Sequence, residues 1–315
     1  MAATGRRPRE LGVRIGRLPT GRDNSITDVP GVRVGHVTIS RDPVGSQQAV
    51  RTGVTVVWPH PDRPWQERVY AATAIVNGYG ELIGINQIKE WGLLQTPVVL
   101  TSSLAIGMAY HATARWIADE DPVQGIEDVI MPVVTECDDS FLNDARAFPV
   151  QEEHVREALE LARRGGPVQE GSVGAATGLQ CFEFKGGIGT ASRMLPPEAG
   201  GYLVGALVST NFGARADLLL AGVPLGEEIT DLMPGPAHRW LVHRGPGHRR
   251  ATPPAPTRST SRPGRNGTGS VRVRGGERLG RARPGLLHRP TDPPFEPRWN
   301  GLGEGALGRR LLAPA

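Results

Sequence analysis

Apolar residues in this chain fall mostly into short β-branched runs divided by glycine, proline and polar turns, with two stretches of helical spacing among them. Val32, Val34 and Val37 follow Asp28-Val29-Pro30-Gly31, where proline fixes one dihedral and glycine permits a positive one; a turn therefore leads into an entering strand. A second run covers Thr52 to Trp58 and stops at Pro59. A third covers Val69 to Val76, with Asn77-Gly78-Tyr79-Gly80-Glu81 as its turn, and a fourth runs from Val98 to Ile106 through Thr101-Ser102-Ser103. Gly107 to Ala118 places Met108, Ala109, Ala112 and Trp116 on one helical face. Val129 to Thr135 reads as strand and leads into Glu136-Cys137-Asp138-Asp139-Ser140-Phe141-Leu142-Asn143-Asp144. Val155 to Arg164 predicts a helix, with Val155, Ala158, Leu159 and Ala162 on one stripe and Gly165-Gly166 as the stop. Tyr202 to Thr210 is a nearly continuous apolar strand before Asn211-Phe212-Gly213, and Leu218 to Pro224 closes the patterned part. Many strands with few long helices predict a layered α+β domain with central sheets.

Gly171 to Arg193 is the stretch around which the rest is arranged. The alternation Phe182-Glu183-Phe184 suits a strand with one buried face, and Gly186-Gly187-Ile188-Gly189 then predicts a backbone that glycine adopts most cheaply. Glycines also let a backbone approach a ligand or another strand closely, so the segment is a candidate border of a site. A phosphate loop is the rival reading. It is weak, because no Gly-Lys-Ser/Thr ending follows and Lys185 precedes the glycines.

The 315 residues allow one large domain or two ordinary ones. Two cysteines, Cys137 and Cys181, supply no disulfide framework and no paired metal spacing, so a reduced cytoplasmic setting is expected. No apolar run approaches the roughly 20 residues that span a bilayer, so no membrane association is expected. Residues 1–20 read as a flexible basic tail with no signal-peptide core. The net charge of +4 would suggest a nucleic-acid partner, but the arginine excess sits in the last quarter, and none is expected.

Residues 21–234 carry the patterning; residues 235–315 are dominated by Pro, Gly, Arg, His and Thr. A disordered basic tail is one reading of that tract. Trp240, Trp299 and isolated leucines sit oddly in such a tail. The second reading is a GC-rich gene translated out of frame. Advanced by one base over His238 to Pro253, degenerate codons allow Gly-Gly-Ser-Ser-Ile-Val-Val-Leu-Ala-Thr-Asp-Ala-Pro, which reads as a buried strand where the written sequence does not.

The segment Asn24 to Val37 (Asn-Ser-Ile-Thr-Asp-Val-Pro-Gly-Val-Arg-Val-Gly-His-Val) resembles the opening motif of the L-aminopeptidase/D-esterase family, which includes β-peptidyl aminopeptidases and nylon-oligomer hydrolases. Phe184 to Arg193, Asn211-Phe212-Gly213 and Ala221 to Gly226 are similar to later motifs of that family, in the same order. The resemblance implies a four-layer αββα sandwich like that of N-terminal nucleophile hydrolases and ornithine acetyltransferase, incomplete here at the C-terminus. It implies a precursor that cuts itself before a serine, whose freed α-amine, with a pKa near 8, acts as base. It implies a small peptide or amide substrate, no cofactor or metal, and a homo-oligomer. Asn211 maps onto the family's oxyanion asparagine, and Ser102 and Ser103 onto a polar loop lining the substrate pocket; Asp138 and Asn143 complete the candidate pocket. The family has a tyrosine where Asp138 stands, and a carboxylate there would repel an oxyanion. The acidic run is instead a candidate amine holder or a solvated turn.

The nucleophile departs from the pattern. No serine is written between Gly213 and Arg258, and Gly269-Ser270 has no apolar strand before it. The chain is therefore expected to be an aminopeptidase α-part joined to an out-of-frame remnant, neither self-cleaving nor active, and poorly soluble through unpaired strand edges. The alternatives are an acyltransferase of the ornithine acetyltransferase type and a non-enzymatic protein whose basic tail binds nucleic acid with steep salt dependence.

Overall fold

A computed structural model describes residues 6–45, 48–75, 80–231 and 233–234. The tract 235–315, with Trp240, Trp299 and Ser270, lies outside the described residues, as does most of the turn expected at 77–81. In chain order the elements are β1 (Arg33–Arg41), β2 (Val50–Trp58), β3 (Val69–Tyr70), β4 (Leu82–Ile83), α1 (Ile85–Trp91), β5 (Leu93–Leu94), β6 (Val98–Ser102), α2 (Ile106–Glu120), β7 (Val133–Cys137) and α3 (Glu152–Arg164). There follow β8 (Gln180–Cys181), β9 (Phe184–Lys185), β10 (Ile188–Met194), β11 (Leu203–Ser209) and α4 (Leu225–Glu228). The described residues thus form an α+β fold.

The main sheet has the order β1-β2-β6-β7-β4. Its pairs are antiparallel except β6 with β7, which run parallel because α2 carries the chain back between them. One face is apolar: Val37, Val54, Val56, Trp58, Val99 and Val134 pack under the stripes of α2 and α3. Helix α3 lies directly on β1, so close that a Cβ on Gly35 would stand 2.3 Å from the Ala162 nitrogen and 2.4 Å from the Ala158 oxygen. Trp58, Trp65 and Trp116 meet edge to face at centroid spacings of 5.8–6.4 Å and close that layer.

The opposite face is built from hydrogen bonds. The turn Gly174–Ala176 lies on β1 and β2, where the Gly174 amide donates to Thr38 Oγ1 (2.9 Å) and the Ala175 amide to Thr55 Oγ1 (3.1 Å). His36 Nδ1 lies 2.9 Å from the same threonine oxygen. Gly53 permits this approach, since its Cβ would be 2.6 Å from the Gly174 oxygen. Beyond the turn runs the antiparallel β10–β11 ribbon, whose Ile188 and Leu207 pack against Ala176 and Leu179.

Several expectations are corrected. Phe182-Glu183-Phe184 is not a strand: Phe182 (φ 52°) and Glu183 (φ 58°) are both left-handed and form the two-residue turn of the β8–β9 hairpin. Non-glycine residues hold that turn because the Phe182 amide donates to the Phe212 carbonyl (2.8 Å), and Arg215 donates to the Phe182 and Glu183 carbonyls at 3.0 and 2.8 Å. The glycines at 186, 187 and 189 take no positive φ. Gly186 and Gly187 serve close approach, each Cβ position falling 2.6 Å from a carbonyl, of Thr210 and Gly171 respectively. Lys185 is committed internally, donating to the carbonyls of Ala176, Leu179 and Gly186, and burial lowers its pKa to about 8; no phosphate loop exists here.

The 69–76 run yields strand only at Val69–Tyr70, and Ile75 is exposed. β6 stops at Ser102, and β7 begins at Val133 because Val129 and Met131 face solvent. Residues 6–20 are tied to the body: Arg7 pairs with Glu170 at 2.8 Å and donates to the Thr190 carbonyl, and the Met194 amide donates to Pro19.

Candidate active site

Parallel strands β6 and β7 end side by side, with Ser102 opposite Cys137. In open α/β sheets ligands bind in the crevice outside the carboxyl ends of parallel strands, and this one parallel pair offers the same kind of edge. Here a cavity of about 720 Å³ opens at that point, walled also by Glu81 before β4, Leu104 in the turn before α2, and Asn211-Phe212 after β11. Ser102, Ser103, Asp138 and Asn211, far apart in sequence, all line it. Asn143 does not; it is buried behind the wall.

Asn143 belongs to a support that sequence reading missed. Asp139, 1% exposed, accepts from Ser102 Oγ (2.8 Å) and from Asn143 Nδ2 (3.0 Å), while Asn143 Oδ1 accepts from the Arg51 amide (3.0 Å). Burial raises the Asp139 pKa, and the bonds from Asn143 and Ser102 oppose that rise. The signal in the sequence was the four-residue spacing of Asp139 and Asn143, set in a run that read equally well as a solvated acidic turn. Ser103 Oγ bonds to Glu136, whose other oxygen accepts from the Glu81 amide (2.9 Å). Glu136 was visible only as part of the acidic run.

Asn211 Nδ2 donates to the Asp138 carbonyl (2.8 Å), which fixes the amide at the cavity edge and leaves one N–H of that nitrogen for another acceptor. The Asp138 carboxylate accepts from the Ser140 amide (2.9 Å) in a local turn. Phe212 packs edge to face on Phe182 at 5.0 Å, so the β8–β9 turn holds the loop that carries Asn211.

The electrostatics are one-sided. Glu81, Glu136 and Asp138 line the cavity, and no lysine, arginine or histidine does among the described residues. Cys137 also lines it, but burial and the neighbouring carboxylates hold its thiol above the ordinary value, so it stays protonated and is a poor nucleophile. Such a site favours a cation: it can hold an ammonium group and present an amide donor beside it.

The mixed sheet under two helices, with a ribbon facing its other side, matches the Ntn hydrolase fold. The profile of peptidase family S58 matches residues 24–271, and the chain belongs to that family. The match runs beyond the compositional change at Pro234. Over 231 residues the chain is 41% identical to the β-peptidyl aminopeptidase BapA of Sphingosinicella microcystinivorans, covering 72% of this chain and 57% of that one. It thus spans little more than half the length of the curated relatives it matches. Among solved structures, a Burkholderia sp. β-aminopeptidase superposes with TM-score 0.68 at 44% identity, over 73% of this chain and 64% of the other. The L-aminopeptidase D-Ala-esterase/amidase of Ochrobactrum anthropi, described as a prototype for the serine aminopeptidases and a variant of the Ntn hydrolase fold, gives 0.66 at 43%, over 72% and 64%. Among the described residues no helix is long and apolar enough to cross a membrane.

Proposed function

We propose that this chain carries the amine-recognising half of a serine aminopeptidase that acts on the N-terminal residue of small peptides, amides or esters. The observation that supports this reading best is the cleft of three carboxylates with no basic residue among the described ones, bordered by the Asn211 amide. Glu136 and Asp138 would receive the substrate's ammonium group. Asn211 would donate to the oxyanion of the tetrahedral intermediate, a donor typically worth about 10²–10³ in turnover. Asp139 acts through Ser102, whose proton it holds, so that Ser102 turns only lone pairs toward the cleft.

The nucleophile is the part this sequence does not supply at the expected place, since no serine stands between Gly213 and Arg258. In the family's chemistry that serine arises by self-cleavage, and the tract 235–315 reads as an out-of-frame remnant of the part that bears it. The chain as written is accordingly a substrate-binding form without turnover. Mass spectrometry of the purified protein is expected to show one intact mass after prolonged incubation, with no nitroaniline released from β-alanine p-nitroanilide. A fragment pair with a new N-terminal serine would overturn the reading of the tract. Binding tests the cleft itself: β-alaninamide is expected to bind and its uncharged N-acetyl derivative not to. Equal binding of the two would remove the amine-recognising role.

A further inference from the structure

The loop between β2 and β3 gathers three metal-ligating side chains that the cleft does not use. His60, Asp62 and Glu67 each bring one donor atom to within 4.8 Å of the other two, the one such group among the described residues. His60 Nε2 lies 3.6 Å from Glu67 Oε2, and His60 Nδ1 lies 3.9 Å from Asp62 Oδ2. Donor atoms around a tetrahedral zinc ion stand about 3.4 Å apart, so both pairs are close to that spacing. The His60 side chain is 21% exposed, whereas Asp62 at 65% and Glu67 at 64% have room to turn inward.

Groups from outside the cluster already fix the backbone beneath it. The Trp58 indole donates to the Asp62 carbonyl at 3.0 Å, and Arg33 Nη2 donates to the carbonyls of His60 (3.1 Å) and Pro61 (2.8 Å). The Glu67 amide donates to the Arg63 carbonyl at 3.0 Å, and Trp65, between the ligands, is buried. The neighbouring cations are spent elsewhere: Arg33 Nη1 on the Arg163 carbonyl (2.6 Å), Arg63 on Glu120 and Arg68 on Asp128. Among the described residues, the two carboxylates therefore pair with no lysine or arginine and face a single imidazole. That charge is balanced either by a proton on the ring or by a metal ion.

We propose that His60, Asp62 and Glu67 bind a divalent first-row cation of the zinc type. One imidazole nitrogen and one oxygen from each carboxylate supply three ligands, and water completes the shell. The mixed nitrogen and oxygen set suits zinc, cobalt or nickel better than calcium or magnesium, which take oxygen ligands. The 3.2 Å bond from the Asp62 amide to His60 Nδ1 is what the ring gives up when Nδ1 takes the metal, or takes the proton as Nε2 binds. The ion pins loop 59–68 where Trp58 and Trp65 close the sealed layer, so its effect falls on stability.

The test is thermal unfolding of the full purified chain, stripped with EDTA and followed by circular dichroism. Zn²⁺ at about a hundredfold over its dissociation constant is expected to raise the melting temperature by about 5 °C or more, and Ca²⁺ at the same concentration to leave it unchanged. His238, His243, His248 and His288 also offer imidazoles, so variants in the loop decide where the ion sits. Glu67→Gln, at an exposed position, is expected to require at least about tenfold more Zn²⁺ for the same rise, and His60→Ala to lose the rise. A parent melting temperature indifferent to Zn²⁺ overturns the site and leaves the three as an ion pair closed by a proton on His60. A rise at the same Zn²⁺ concentration in Glu67→Gln as in the parent places the ion elsewhere and overturns it too, even if His60→Ala fails to fold. An equal rise with Ca²⁺ overturns the imidazole ligand.

Discussion

The main sheet and the β10–β11 ribbon contain similar sequence and stand in opposite situations. β2 and β6 carry valines whose alternate members are sealed under α2 and α3: Val54, Val56 and Val99 have no exposed surface at all. β11 is just as rich in valine and leucine, yet its residues alternate between half-buried and exposed, with Val204 at 52% and Val208 at 49%. Both strands obey the two-residue period; what differs is whether a helix lies over the outward face. The comparison separates what a strand's sequence specifies, which is a face, from what its surroundings specify, which is a cover. The sealed face carries stability, and the sharpest way to break it is at the contact with the least slack.

Gly35→Val makes that break. The new Cβ would meet the backbone of α3 at Ala158 and Ala162, which no side-chain rotation relieves. Helix α3 would have to lift from β1 and expose Val155, Ala158 and Leu159, all fully buried. The expected cost is about 3 kcal/mol or more, the upper end for overpacking. Urea unfolding followed by tryptophan fluorescence reads it, since Trp58 and Trp116 both lie in that layer. A midpoint unchanged from the parent would mean that α3 does not dock as described.

The polar face breaks with pH instead. His36 is held neutral by burial, its pKa lowered to about 4 from 6.5, and its Nε2 has no hydrogen-bond partner among the described residues. Between those values the unfolded chain binds the proton and the folded chain does not. The stability from this group is therefore complete above pH 6.5 and is lost on acidification toward pH 4, by about 3 kcal/mol. Asp139 acts in the opposite sense, because a raised carboxylate pKa favours the folded state as pH falls. A variant separates the two: in His36→Gln the slope of stability against pH between 4 and 6.5 should become shallower by one proton. An unchanged slope would assign the acid sensitivity to another group.

Legibility followed the same division. α3 was readable because Val155, Ala158, Leu159 and Ala162 repeat at helical spacing and a glycine pair ends them; β2 was readable from its β-branched run. Phe182 and Glu183 misled, because two aromatics flanking a charge imitate a strand, whereas their left-handed turn is held by Arg215 from 32 to 33 residues away. Of the cleft, Ser102, Ser103, Asp138 and Asn211 came from motif resemblance, and the structure brings them to one wall. Asp139 escaped because its burial depends on Asn143 and on β6, neither of which local composition displays. The small apolar cavity beside the cleft escaped for a related reason. Leu104 read as part of a strand run and Met108 as an ordinary helix residue, until Phe148 and Val150 stand opposite them.

The smallest effect expected lies on the uncovered ribbon. Val204, Ala206 and Val208 project from the same face as Gly189, Ala191 and Arg193 across the β10–β11 pairing, so changing them leaves no cavity in a core. Val204→Lys with Val208→Lys should therefore shift the unfolding free energy by no more than about 0.5 kcal/mol, the range for surface sites. Leu159→Ala in the sealed layer should cost 2–5 kcal/mol or so. Association is where the ribbon should respond. An exposed apolar strand face invites pairing between copies, and two lysines on it introduce the repulsion that natural edge strands use. Light scattering of the double variant should show less self-association than the parent at equal concentration, with the same melting curve. If the melting temperature falls as steeply as in Leu159→Ala, Val204 and Val208 are covered in solution, and the contrast between the two sheets is lost.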